Sequence, residues 1–117
     1  MFRPLVYIAS PYSIGNAAVN VRTQFLVAEQ LWAAGFLPYP PLYNHFWHFL
    51  NPHEEQYWMA MDREWVLRSD AVLRLPGESR GADEEVIIAD AHGIPVFHSL
   101  DELQHGMELG MWATRAL

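Results

Sequence analysis

Apolar and polar positions fall in blocks along this chain. Leu5-Val6-Tyr7-Ile8-Ala9 is an unbroken apolar run closed by Ser10-Pro11, the pattern of a strand buried on both faces of a parallel sheet. After a Ser13-Ile14-Gly15-Asn16 loop, with Asn16 as a cap, Val21, Phe25, Ala28 and Trp32 recur at helical spacing. Gly35 supplies the stop. Phe36-Leu37-Pro38-Tyr39 predicts a short strand, weakened by Pro38, which has no N–H for a central ladder. Pro40-Pro41 breaks the chain into a loop running to about Leu50.

A second helix is predicted with Asn51 as cap, Pro52 at its first position and Glu54 three after the cap. Trp58, Met61 and Trp65 mark its apolar side, and it ends near Ser69. Ala71-Val72-Leu73-Arg74-Leu75 reads as a strand closed by Pro76-Gly77. Gly81 to His92 reads as a helix stopped by Gly93, and Ile94-Pro95-Val96-Phe97 as a strand. Ser99-Leu100-Asp101-Glu102 is a capping box that opens the last helix. Alternating strands and helices predict a parallel α/β sheet with helices on both faces. Ligands bind beyond the carboxyl ends of such strands, which singles out Ser10–Asn16, Tyr39–Leu50 and Pro76–Glu85.

Composition narrows the class. The 117 residues suit a single domain, 1–117, with one core, and 51% hydrophobic against 18% charged residues excludes disorder. No apolar run reaches the roughly 18–20 residues of a membrane span. The opening MFRPLVYIAS lacks a signal-peptide cleavage site, so a cytoplasmic protein is expected. Without cysteine there is no disulfide framework, thiolate zinc site or cysteine nucleophile. A net charge of −7 with no lysine argues against a nucleic-acid polymer or an anionic membrane as partner. A small anion remains open, because backbone N–H groups and one or two arginines can hold a phosphate. Tyr39, Tyr43, Phe46, Trp47, Phe49, Tyr57 and Trp58 crowd one stretch, as a core and subunit interface or as a stacking wall for a planar ligand.

Pro76 to Glu85 leaves a strand and enters a helix, but it carries neither a Walker Lys-Ser/Thr nor a G-x-G-x-x-G. Asp83, Glu84 and Glu85 suit the positive end of the helix dipole, and one reading makes all three solvated dipole partners. Val86, Ile87 and Ala89 are expected to face the sheet or its flanks, leaving Glu85 closest to the carboxyl edge. A carboxylate held there by dipole and N–H donors stays ionised and can attack an anomeric carbon. That chemistry needs an acid for the leaving group. Asp62, in an apolar and aromatic segment, is the candidate, with a raised pKa. The alternative is a surface aspartate paired with Arg63 or Arg68.

Asp62-Arg63-Glu64-Trp65, Ser69-Asp70-Ala71-Val72-Leu73 and Ser79-x-Gly81-x-x-x-Glu85-x-x-x-Ala89 follow in order and spacing. With Tyr7-Ile8-Ala9-Ser10-Pro11-Tyr12 before them and Gly93-Ile94-Pro95-Val96 after, the pattern resembles the nucleoside 2-deoxyribosyltransferase superfamily and its related nucleotide N-glycosidases. The resemblance spans roughly residues 5–100. It implies a flavodoxin-like/Rossmann-like three-layer sandwich with a parallel sheet of four to five strands. It implies cleavage or transfer at the N-glycosidic bond of a (deoxy)nucleoside or its 5′-monophosphate, through a glycosyl-glutamate ester and without a cofactor. Carried across, Glu85 is the nucleophile, Asp62 protonates the departing base, and Tyr7 orients Glu85. Ser10, Tyr12, Ser13, Gly15, Ser79 and Gly81 would bind substrate, the hydroxyl at Ser79 tilting the expectation toward a 5′-phosphate. Family members are usually dimeric or larger, so a homodimer or higher homo-oligomer is expected.

Departures from the family pattern are Asp83 where glycine is common, the prolines at 38, 40 and 41 in the second strand, and a stretch at Gly106–Gly110 that itself resembles the Gly-x-Glu-Leu-Gly of some members. Glu108 there ranks below Glu85 as nucleophile. Phe46 and Trp47 either stack on a base or simply pack. His45, His48, His53 and Glu54 are the candidate metal cluster, but two His at i, i+3 on a loop are a poor zinc template, and no metal is expected. Met107, Leu109, Met111 and Trp112 read as an oligomer contact. Rivals to transfer are hydrolysis at the same site, a non-catalytic nucleotide-binding module, and a metal-dependent hydrolase built on His45–Glu54.

Overall fold

The computed structural model describes residues 2–112. In chain order its elements are β1 (Leu5–Ala9), α1 (Ala17–Ala33), β2 (Leu37–Tyr39), a 3-10 turn (Pro41–Tyr43) and α2 (Asn44–Leu50). There follow α3 (Glu55–Arg68), β3 (Ala71–Arg74), α4 (Arg80–Ala91), β4 (Val96–Phe97) and α5 (Leu100–Glu108). The strands pair in parallel in the order β2-β1-β3-β4. This is the flavodoxin-like order, whose switch point, and hence ligand crevice, lies between β1 and β3. None of the described helices is long and apolar enough to cross a membrane.

Strand alternation decides what lies on each face of the sheet. Val6 and Ile8 of β1 join Leu31, Phe36, Leu73, Phe97 and Leu103 in a core closed by α1 and α5. Tyr7 and Ala9 point the other way, into a core with Tyr39, Val66, Val72, Ala82 and Ala89 beneath α3 and α4. The three layers are therefore helices, sheet, helices. A fully buried tyrosine, Tyr7, faces the two helices that carry Asp62 and Glu85.

Local chemistry starts three of the helices, at the expected caps Asn16 and Ser99 and at Ser79, which the sequence reading gave to substrate. Asn16 Oδ1 accepts from Val19 N–H, Ser79 Oγ from Ala82 N–H, and Ser99 Oγ from Glu102 N–H. Pro38 is tolerated because β2 is an edge strand.

Other expectations need correction. The stretch after Pro40-Pro41 is a 3-10 turn running into α2, because Pro41 occupies a first-turn position where no N–H is required. Asn51 ends α2, its N–H bonding Trp47 O, and neither it nor Pro52 starts the next helix, which begins at Glu55. On α4 the inward stripe is Ala82, Glu85, Ile88 and Ala89, and Ile87, expected to face the sheet, is 65% exposed. Trp112 packs edge-on against Phe36 and so covers the core; Met107, Leu109 and Met111 stay exposed.

Gly106 answers a packing need. A Cβ built there would lie 2.4 Å from the Phe97 ring, because α5 rests directly on β4. Gly106→Ala is expected to destabilise the protein by about 1–3 kcal/mol through overpacking. Denaturant unfolding measures this, and an unchanged midpoint would contradict the packing described.

Candidate active site

A cavity of about 500 Å³ opens where β1 and β3 end, a size suited to a small organic ligand. Asp62 and Glu85 line it, and the fully buried Tyr7 lies behind Glu85. The Tyr7 hydroxyl donates to Glu85 Oε2 in a short contact. The sequence brings these together by two periodicities: alternation turns Tyr7 toward α3 and α4, and helical spacing sets Glu85 between Ala82 and Ala89 on the inward stripe. Asp62 shares a face of α3 with Trp58 and Trp65, and so turns inward with them. It is not paired with Arg63 or Arg68; Arg68 binds Glu64 instead, and the partner of Asp62 is Asn44 Nδ2 at 3.5 Å.

Electrostatics follow from this burial. Burial pushes Asp62 from an ordinary 3.8 up to about 7. Burial also pushes Glu85 from 4.5 up to about 8; the Tyr7 hydrogen bond and the Arg74 charge pull it down, while Asp62 and Glu84 push it up. Glu85 is therefore not a carboxylate held ionised by the helix dipole, because desolvation outweighs the donors. Tyr7 is raised well above 10, first by burial and then by Glu85, so its hydroxyl remains a permanent donor. The two carboxyls titrate as a pair that holds a single proton between their two ionisations. Tyr7 favours the charged form of Glu85, and a bound base that accepts a hydrogen bond from Asp62 draws the proton there.

Two residues that the sequence reading passed over support this centre. Arg74, on the Tyr7 side of β3, binds Leu75 O, Gly77 O at 2.9 Å and Asp83 Oδ1 at 3.0 Å. Asp83 is thereby neutralised, and the turn before α4 is tied to the sheet. Gly77 in that turn has φ +118°, and a Cβ there would lie 2.8 Å from Pro11 Cγ, so glycine lets the two loops at the cavity mouth approach. Gln24, fully buried on α1, donates to Ile8 O and Ser10 Oγ and accepts from Leu42 N–H at 2.8 Å. It braces β1, α1 and the 3-10 turn. The signal for both was a polar side chain inside an apolar stripe.

Of the expected binding residues, Ser10, Tyr12, Ser13, Ser79 and Gly81 line the cavity with Asp62 and Glu85. Gly15 does not. Phe46 turns away into a groove against α1, with Phe25 and Tyr43. Trp47 packs edge-on behind Trp58, and it is Trp58 that reaches the cavity, beside Met59 and Asn44. Glu108 lies on α5, exposed beside His105.

The histidines have organic partners. His45 Nδ1 meets the Tyr12 hydroxyl, joining the first turn of α2 to the loop after β1. His48 Nδ1 accepts from Trp58 Nε1–H and His53 N–H, which places its ring proton on Nε2. The His53 ring stacks on Tyr57 at 3.7 Å. Among the described residues no group of three or more His, Cys, Asp or Glu converges to hold a metal.

Stability should carry the signature of the buried pair. Between about pH 4 and about pH 8 the folded state binds protons at Asp62 and Glu85 that the unfolded chain has released, so stability falls as pH rises through this window. Asp62→Asn should remove about 2–4 kcal/mol of that fall and be more stable than the wild type at pH 9. Urea midpoints across pH measure it; parallel curves for the two proteins would refute the buried pair.

No protein-family model matches the chain, and no curated protein matches it. A solved structure described as a 2-deoxyribosyltransferase from the psychrotolerant bacterium Bacillus psychrosaccharolyticus matches over 97% of this chain and 99% of its own, with a TM-score of 0.53 and 15% identity. The chain thus has the fold of that enzyme.

Proposed function

We propose that the cavity cleaves or transfers at the N-glycosidic bond of a (deoxy)nucleoside. The observation that carries this reading is the Tyr7 hydroxyl donating to Glu85 in the same desolvated cavity as Asp62. The shared fold with a 2-deoxyribosyltransferase supports it. One ionised and one protonated carboxyl are what displacement at an anomeric carbon needs.

Glu85, ionised once the proton rests on Asp62, attacks C1′. The C1′–N bond breaks, its electron pair goes to the base nitrogen, and Asp62 supplies the proton to the base. A glycosyl ester on Glu85 results, with the Tyr7 hydroxyl held at the same carboxyl group. A second base, or water, then attacks C1′ and expels the Glu85 carboxylate, while Asp62 takes the proton from the incoming nucleophile. Two displacements through an ester require no cofactor.

The charge of the cavity favours an uncharged 5′ end over a phosphate. Glu78 and Glu84 stand beside Ser79 in the wall, and Arg80 is already paired with Glu84 at 3.1 Å. A phosphate there meets carboxylates with little free cation. Self-association fits the exposed Met107, Leu109 and Met111.

Incubation with a 2′-deoxynucleoside, with and without a second free base, tests the reading. Wild type should release base, and form a new nucleoside when a second base is present; release alone marks a hydrolase. Glu85→Gln should lose nearly all turnover, and Asp62→Asn about 10²–10⁴-fold. The 5′-monophosphate should be used less well than the nucleoside. Binding without turnover of any nucleoside would replace this reading with a non-catalytic binding module.

A further inference from the structure

Asn44 opens α2 and is 7% exposed. Its Oδ1 is buried and finds no hydrogen-bond partner. Its Nδ2 faces Asp62 Oδ1 at 3.5 Å. Burying a carbonyl without a donor forfeits the hydrogen bonds that water gives it in the unfolded chain. A leucine of similar size would fill the place without that loss. What leucine cannot do is donate to a carboxyl group.

Other groups that act electrostatically with Asp62 are Glu85 from α4, Tyr7 from β1 and Tyr39 from β2. The Tyr7 hydroxyl is committed to Glu85, and that of Tyr39 to Tyr43. Among the described residues, the side chain that donates to Asp62 is Asn44. Its position is prepared: Gln24 holds the Leu42 N–H at 2.8 Å, two residues before it, and so anchors the 3-10 turn that leads into α2.

We propose that Asn44 is a positioning residue for Asp62, its amide holding Oδ1 so that the proton to be delivered rides on Oδ2. This rests on the function proposed above for Asp62. A bond from a neutral amide to a protonated carboxyl is weak, as the 3.5 Å separation shows. It becomes charge-assisted, and shortens, when Asp62 gives up its proton. Asn44 therefore stabilises the state reached by proton transfer more than the one before it, which is the condition for raising kcat.

Asn44→Leu tests this by three readouts: thermal melting, steady-state kinetics, and carboxyl-carbon NMR titration of Asp62. The expected result is a melting temperature equal to or above wild type, a kcat lower by about 10-fold or more with KM little changed, and a higher Asp62 titration midpoint. A variant that keeps both kcat and the wild-type midpoint overturns the proposal. If Asn44→Leu does not fold, the more flexible and equally uncharged Asn44→Met decides: a raised Asp62 midpoint supports the contact, and an unmoved one refutes it. If the wild type turns over no nucleoside, the proposed function fails, and the titration alone decides whether Asn44 governs Asp62.

Discussion

A phenol and a carboxyl group meet where water is largely excluded, and the rest of the site depends on that meeting. Tyr7 is completely buried, and its hydroxyl has Glu85 as its partner. Neither group would be placed there for stability alone, since burial pushes both toward their neutral forms. The sheet makes the contact obligatory. Tyr7 is central in β1, which is itself flanked by β2 and β3, so its direction is fixed by register with Tyr39 on one side and Val72 on the other.

Around this contact the fold arranges a second carboxyl and the means to control it. Asp62 arrives on α3, whose Trp65 stacks on Tyr39 at 4.1 Å and so ties the helix to the edge of the sheet. Arg74 arrives on β3 and tempers the negative charge from behind, while holding the turn that feeds α4. Gln24 links the opposite helical layer to the same cavity through Ser10 and Leu42. Three layers of the fold thus each contribute a polar side chain to one place, at the switch point where parallel sheets leave a crevice.

The frame was legible because it follows from local rules. Apolar runs, glycine stops and the Asn16 and Ser99 caps located the four strands and most helix ends. Pro38 even reads correctly as an edge position. The region from Pro40 to Glu54 was not legible, because proline breaks a helix in its interior yet suits its first turn, and Asn51 closes one helix where it might equally open another. Tyr7, Asp62 and Glu85 were legible through the family pattern, and the structure brings those three together. Their protonation was not legible: it depends on desolvation by elements distant in sequence. Phe46 and Trp47 show the same limit. Their aromatic character is plain, but only the path of α2 sends one toward α1 and the other behind Trp58. Gln24 and Arg74 looked like isolated polar residues until folding supplied their partners.

The central claim is that Glu85 becomes covalently bonded to sugar. Incubation with a 2-fluoro-substituted nucleoside, followed by intact-mass and peptide mass spectrometry, tests it most directly. The account predicts a glycosyl mass increment on the peptide containing Glu85, absent when Tyr7, Asp62 and Glu85 have been exposed by denaturation beforehand. An increment located on another carboxylate, or base release with no increment at any time, would contradict it.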